Sequence, residues 1–98
     1  ILRTEDIVAR YGGEEFVVLL GEVGAAQAVE IAEKLRAALR ALPGPHPVTA
    51  SVGVAASQSC GVSSGDRLLA AADRALYRAK RGGRDRVEAA TVADVPPG

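Results

Sequence analysis

The sequence predicts a single α/β (α+β) domain in which helices flank a sheet of short strands. Three observations predict this class: apolar segments on both sides of a Gly-Gly pair near the start, two stretches with apolar residues every three or four positions, and one stretch with apolar residues at alternate positions. At 98 residues the chain is at most one domain. It contains no apolar run near the roughly 20 residues that a membrane span requires.

The first element is a predicted β-hairpin. Apolar residues precede and follow Gly12 and Gly13, and we expect these glycines to supply the positive φ values of a two-residue primed turn. Residues 16–20 are apolar at five consecutive positions, which predicts a strand that is buried on both faces. Glu14 and Glu15 lie at the tip, where adjacent carboxylates repel each other unless a cation offsets them.

The second half of the pattern alternates helix, strand and helix. An amphipathic helix is predicted over residues 25–42, and the three prolines that follow this range end it. A strand is predicted over 48–56, with small residues on one face, and a loop over 57–65. A second helix, capped by Ser64 or Asp66, should end at Gly82-Gly83.

Residues 84–88 form a possible last strand, and residues 89–98 are expected to be a flexible tail. Twelve basic and twelve acidic residues balance, which argues against binding of a nucleic acid polymer or an anionic membrane by charge alone. Cys60 is the single cysteine, so no internal disulfide can form and a reduced, cytoplasmic setting is the default expectation.

Three motifs together carry a family resemblance. The segments RYGGEEF, TASVGVA and ADRALYRAKRGGRDRV occur in that order, and they resemble the GGDEF domain of diguanylate cyclases. The resemblance extends to about Val87 and covers about the last half of that domain. It implies a ferredoxin-like fold of the nucleotidyl-cyclase and polymerase-palm type, an antiparallel sheet flanked by helices, with the N-terminal half absent from these residues. We therefore expect residues 1–88 to be the C-terminal portion of such a domain.

The resemblance also implies a chemistry. Such domains condense two GTP molecules into cyclic di-GMP and pyrophosphate, with Mg²⁺ (or Mn²⁺) and one GTP in each domain of a homodimer. Glu14 and Glu15 match the catalytic acids, and Glu14 matches the metal ligand. Gly12 and Gly13 match the positions where the backbone approaches the nucleotide, which the absence of a Cβ permits. The alternative for this motif alone is a solvated hairpin with incidental acids.

A basic cluster lies at the end of the second helix. Lys80 and Arg84 match the family's triphosphate-binding positions, and ammonium and guanidinium groups both suit phosphate oxygens. Cations also favour a helix C-terminus for electrostatic reasons, which explains Lys80 but explains Arg84 less well. Asp85 stands where the family usually has Asn, and a carboxylate beside a phosphate site would weaken it.

An Arg-x-x-Asp motif precedes the hairpin. Arg3 and Asp6 match, by their spacing to Gly12, the family's inhibitory site for the product cyclic di-GMP, and Lys34 is the candidate for an additional basic contact. By itself the motif is more often an ion pair or a turn cap. Arg3 offers a bidentate donor to phosphate or guanine, and Asp6 an acceptor for guanine N–H groups.

Two functional classes remain from the sequence: a diguanylate cyclase with product inhibition, or a non-catalytic domain that binds cyclic di-GMP or GTP. An inactive fragment is a further alternative. In the family's palm fold an N-terminal strand lies beside the strand of residues 16–20, and its absence would leave buried backbone groups unpaired, at roughly 1–3 kcal/mol each. We therefore expect the isolated 98 residues neither to fold stably nor to make cyclic di-GMP.

Overall fold

The computed structural model describes residues 6–62 and 64–97 and shows a four-stranded sheet with strands in the order β1-β2-β3-β4. The elements in chain order are β1 (Ile7–Gly12), β2 (Glu15–Leu20), α1 (Ala25–Arg40), β3 (Ser51–Ala56), α2 (Ser57–Cys60), α3 (Gly65–Arg81), β4 (Arg86–Ala89) and a 3₁₀ turn (Val92–Asp94). Helices therefore flank a sheet, and the predicted α+β class is confirmed.

The sheet is mixed, whereas the family resemblance implied an antiparallel one. β1 and β2 form an antiparallel hairpin, but β2 and β3 are parallel, as are β3 and β4. The reason is in the connections: α1 returns the chain from the end of β2 to the start of β3, and α3 does the same between β3 and β4. A helical crossover of this kind joins parallel strands.

The prediction that β2 is buried on both faces is confirmed. Val17, Val18 and Leu20 are at most 2% exposed. Successive residues of a strand point to opposite faces, so Val17 and Leu19 pack with α3 while Val18 and Leu20 pack with α1. The sheet is thus the middle layer of three.

The expectation that β2 would lack a neighbouring strand is wrong for this structure. β1 pairs with one edge of β2, and β3 pairs with the other over the register from Glu15↔Ser51 to Leu20↔Ala56. The buried backbone groups of β2 therefore lie between two strands.

The face of β3 that carries small residues packs against α3. A Cβ placed on Gly53 would overlap the backbone of Ala72 and Leu76, reaching within 2.9 Å of the Leu76 Cα atom. The absence of a side chain at Gly53 thus sets how closely α3 approaches the sheet.

The element boundaries differ modestly from the predicted ones. α1 ends two residues earlier than predicted, β3 begins three residues later, and the predicted loop 57–65 contains the one-turn helix α2. Ser64 caps α3 as predicted, since its hydroxyl accepts a hydrogen bond from the Arg67 amide at 3.5 Å.

The end of α3 is also where the glycine pair predicts it. The amide of Arg84 donates to the Ala79 carbonyl at 2.9 Å, and the amide of Gly83 donates to Lys80 at 3.4 Å. With Gly83 at φ 121°, this is a Schellman motif.

The segment after β4, expected to be a flexible tail, contacts α3 in the structure. Asp94 is 8% exposed and forms an ion pair with Arg78 at 2.5 Å, and its carboxylate also accepts a hydrogen bond from the Thr91 amide. Ala90 is buried in the cluster beneath α3. No helix among the described residues is long and apolar enough to cross a membrane.

Candidate functional site

The hairpin turn consists of Gly13 and Glu14, one residue later than predicted. Gly12 pairs with Glu15 across the hairpin, and the register shifts between Arg10 and Gly12. Neither glycine has a positive φ, so the predicted primed turn with positive φ at Gly12 and Gly13 is wrong. The extra residue in β1 is a bulge, which shifts the two-residue turn by one position along the chain.

Arg10 stabilises this turn from the side. Its Nε donates to the Gly12 carbonyl at 2.9 Å, and its Nη2 donates to the Gly13 carbonyl at 3.1 Å. These bonds satisfy two exposed carbonyl groups at the tip. The position of Arg10 beside the glycines left two interpretations open, a contact with the tip or a solvent-facing residue on an edge strand, and these bonds favour the first.

Glu14 lies at the exposed tip and is fixed by the segment that leads into β3. The Thr49 hydroxyl donates to Glu14 Oε1 at 2.6 Å, and the Ser51 amide donates to the Glu14 carbonyl at 2.8 Å. The side chain is exposed, and no hydrogen bond from residues 6–62 or 64–97 occupies its second carboxylate oxygen. Thr49 is a contact that the sequence did not predict, because it comes from a segment 35 residues away.

Glu15 points to a different set of partners. Its Oε1 accepts a hydrogen bond from Lys80 Nζ at 3.2 Å, and its Oε2 lies 3.7 Å from Arg84 Nη1. The Glu15 side chain is 27% exposed. The structure therefore brings the two predicted phosphate-binding cations to the predicted acidic turn, although 65 residues separate Glu15 from Lys80.

Asp85 does not face this cluster. Its Oδ1 accepts a hydrogen bond from Arg36 Nη1 at 2.9 Å, and its Oδ2 accepts one from Arg40 Nη1 at 3.2 Å. Both arginines belong to α1, and they offset the carboxylate charge. The expectation that Asp85 would weaken a phosphate site is not supported by this geometry.

A second polar contact joins the hairpin to α3. Partial burial and the neighbouring Asp73 carboxylate raise the pKa of Tyr11 to about 12. Asp73 Oδ1 is buried and has no hydrogen-bond partner among the described residues. Asp73 and Lys80 both belong to α3, so this helix influences the hairpin through both residues.

The predicted inhibitory site is only partly visible. Arg3 lies outside the described residues. Asp6 Oδ1 accepts a hydrogen bond from the Gly21 amide at 3.2 Å, which places it where β2 ends. Lys34 is exposed on α1.

The donor atoms at the turn decide whether a divalent cation fits there. Within residues 6–62 and 64–97 there is no group of three or more His, Cys, Asp or Glu side chains suited to hold a metal ion. Glu14 offers an exposed carboxylate, while the carboxylate of Glu15 is already paired with Lys80 and Arg84. Mg²⁺ in nucleotide sites is often held by one or two carboxylates plus phosphate oxygens and water, so Glu14 fits as one protein ligand of such an ion.

Comparison with known proteins identifies the family. The family model described as "Diguanylate cyclase, GGDEF domain" matches residues 1–86. The chain belongs to the GGDEF domain family. Diguanylate cyclase DgcP of Pseudomonas aeruginosa is 46% identical over 94 residues, which cover 91% of this chain. Diguanylate cyclase A of Treponema denticola and diguanylate cyclase DosC of Escherichia coli are each 38% identical, over 87% and 89% of this chain.

This GGDEF chain spans only part of those relatives. It covers 14% of the length of DgcP, 24% of diguanylate cyclase A and 20% of DosC. No solved structure gave a significant match. The acidic turn, Lys80 and Arg84 all lie within the matched residues.

Proposed function

We propose that this GGDEF domain acts in a diguanylate cyclase, which condenses two GTP molecules into cyclic di-GMP with release of pyrophosphate. The observation that carries the proposal is the convergence of Lys80 and Arg84 on the turn that bears Glu14 and Glu15. Family membership and the names of the relatives support the same activity. The alternative from the sequence, a binding domain without catalysis, would need the cations but has no use for paired acids.

In this proposal Lys80 and Arg84 bind the triphosphate. Without nucleotide, Glu15 pairs with both cations and holds them at the turn, with one positive charge left in excess. Phosphate oxygens compete for the same donors, and Lys80 and Arg84 have three and five N–H groups, enough to contact phosphate and Glu15 together. Glu15 therefore acts as the partner that sets the direction of the two side chains.

Glu14 binds the divalent cation, Mg²⁺ or Mn²⁺, in this proposal. When bound, the cation neutralises charge on the phosphates and lowers the pKa of the attacking 3′-hydroxyl. The Thr49 hydroxyl donates to Glu14 Oε1 and fixes the carboxylate, and the other oxygen is the one we assign to the cation. Glu14 thus binds the metal, and Glu15 binds the two phosphate-binding side chains, Lys80 and Arg84.

The glycines support a nucleotide at the turn. A Cβ on Gly12 would lie 3.6 Å from the Glu15 side chain, which is ordinary contact, and one on Gly13 would come no closer than 4.0 Å to Arg10. Neither residue has a positive φ. Since neither backbone conformation nor protein packing requires glycine here, the space that the missing side chains leave is available to a ligand.

Three further expectations from the resemblance belong to the proposal. Product cyclic di-GMP binds Arg3 and Asp6, with Lys34 as an additional contact, and slows turnover. Two domains, each with one GTP, meet in a homodimer. The domain works in the cytoplasm, where GTP is available.

The decisive experiment measures cyclic di-GMP formation from GTP and Mg²⁺ by the full-length natural protein. Glu14→Gln should lower the rate at least about 100-fold, because removing the charge of a metal ligand costs transition-state stabilisation of several kcal/mol. The matched control is Glu22→Gln, another exposed acid, which should leave the rate unchanged. An unaltered rate in Glu14→Gln would reject the metal assignment, and GTP binding without product in the wild type would favour the non-catalytic alternative.

The inhibitory site is tested separately. Arg3→Ala should relieve inhibition by added cyclic di-GMP while the initial rate stays as in the wild type. Inhibition at the same product concentration in both proteins would remove the second site from the proposal.

A further inference from the structure

The segment that carries Arg84 has an unusual backbone. Arg84 and Asp85 have φ values of 65° and 47°, and no other described residue apart from glycine has a positive φ. Residues with a Cβ adopt this left-handed conformation at an energetic cost, which asparagine and aspartate bear best. Two such residues in succession need contacts that hold them in place.

Hydrogen bonds of the α3 cap hold the start of this segment. They end with the Arg84 amide, which donates to the Ala79 carbonyl at 2.9 Å. The next regular pairing is that of Arg86, at the start of β4, with Ser51. Asp85 lies between these two anchors.

The Asp85 side chain supplies the missing contact. Each of its carboxylate oxygens pairs with a different arginine of α1, at 2.9 Å for Arg36 and 3.2 Å for Arg40. Arg36 is itself held by Glu33 at 2.7 Å, and its side chain is 27% exposed. We call Asp85, Arg36 and Arg40 the Asp85 clasp.

α1, which carries both arginines of the clasp, is packed against the sheet. Ala28 and Ala32 are 2% and 0% exposed, which shows that the helix packs directly on the sheet. Hydrogen bonds to Glu33 and Asp85 raise the pKa of Arg36, so its guanidinium is positively charged at physiological pH. The clasp therefore joins a fixed helix to the segment that follows α3.

We propose that Asp85 is a positioning residue for the phosphate-binding arginine: the Asp85 clasp holds residues 82–85 on α1, so that Arg84 extends toward Glu15. Arg84 Nη1 lies 3.7 Å from Glu15 Oε2, while its neighbour Asp85 contacts α1. Arg84 thus contacts the acidic turn, and Asp85, the next residue, contacts α1. The inference deepens the proposed function and depends on it for the role of Arg84.

The same geometry explains how a carboxylate is tolerated beside a phosphate site. Two arginines neutralise Asp85, and an aspartate can accept from both of them with full negative charge, which an asparagine cannot. A neutral residue at position 85 would bind Arg36 and Arg40 more weakly, because it offers no negative charge. Asp85 therefore strengthens the attachment of the segment without opposing the nucleotide.

The test compares variants of the full-length natural protein: Asp85→Ala, Arg36→Ala, the double variant and Asp85→Asn. Arg81→Ala is the matched control, because Arg81 contacts Tyr77 on the same helix end but takes no part in the clasp. Three quantities are measured: amide hydrogen exchange of the peptide covering residues 82–87, the Kd of a non-hydrolysable GTP analogue with Mg²⁺, and KM and kcat for GTP.

We expect exchange of that peptide to accelerate roughly fivefold in Asp85→Ala and less in Arg36→Ala, which keeps the Arg40 pair, and the Kd and KM to rise by up to about the same factors with kcat unchanged, as for partly exposed ion pairs. The double variant should be no worse than Asp85→Ala, because Arg36 reaches the segment only through Asp85. Asp85→Asn should lie between wild type and Asp85→Ala, and Arg81→Ala should match the wild type.

Unchanged exchange in Asp85→Ala, or tighter binding of the analogue in Asp85→Asn, would overturn the inference. A loss in kcat with KM unchanged would show a general structural defect instead of positioning, and would also overturn it. If the wild type does not bind the analogue, the proposed function fails, and the exchange of residues 82–87 still decides whether the clasp holds the segment.

Discussion

The substitution Gly53→Ala tests how closely α3 packs on the sheet. A Cβ at this position overlaps the backbone of Ala72 and Leu76, and backbone cannot rotate away as the end of a flexible side chain can. α3 must therefore move outward or β3 must distort. Overpacking of a core usually costs 1–3 kcal/mol, and because rigid helix backbone is involved here we expect about 3 kcal/mol.

The measurement is the urea dependence of hydrogen exchange in peptides of β3 within the full-length protein, which follows this domain separately from any others. About 3 kcal/mol raises the unfolded fraction more than 100-fold. Gly65→Ala is the control at the start of the same helix, where no atom lies within 4 Å of the added Cβ, and it should be neutral or stabilising by up to about 1 kcal/mol. A loss below about 0.5 kcal/mol in Gly53→Ala would refute the packing argument.

Two further predictions concern the ion pair after β4 and the turn. Burial opposes ionisation of Asp94, but hydrogen bonds from Arg78 and the Thr91 amide outweigh it and hold its pKa below the ordinary value. Its stabilising contribution is therefore complete above about pH 5 and lost as the pH falls through that lowered pKa, so the difference in urea midpoint between wild type and Asp94→Asn should shrink below about pH 4; a difference independent of pH would contradict this. Gly13→Ala should change the free energy of unfolding by less than about 0.5 kcal/mol but weaken binding of the GTP analogue at least about tenfold; equal affinity would show that no nucleotide approaches Gly13.

Much of the fold was predictable because its elements are encoded locally. The apolar spacing predicted α1 within two residues, and the Ser64 cap and the glycine pair predicted both ends of α3. Five consecutive apolar residues predicted a strand buried on both faces. Pairing between strands was not predictable in the same way, because which strands lie side by side depends on contacts between distant segments, and the sheet is mixed rather than antiparallel.

The candidate site shows the same division. The family resemblance of the turn and of the end of α3 identified Glu14, Glu15, Lys80 and Arg84 as candidates, because it depends on sequence alone. The sequence did not predict that the two glutamates have different partners. Thr49 fixes one glutamate and α3 supplies the partners of the other, and both arrive from remote segments.

By itself, the sequence determined the family, the acidic turn and the cations that accompany it. The tertiary structure decided what each charged group faces: Arg10 bonds to the turn, Glu15 pairs with Lys80 and Arg84, and Asp85 turns away to α1. The physical reason is that a side chain's charge is fixed by its chemistry, whereas its electrostatic partners are whichever groups folding brings within a few ångströms.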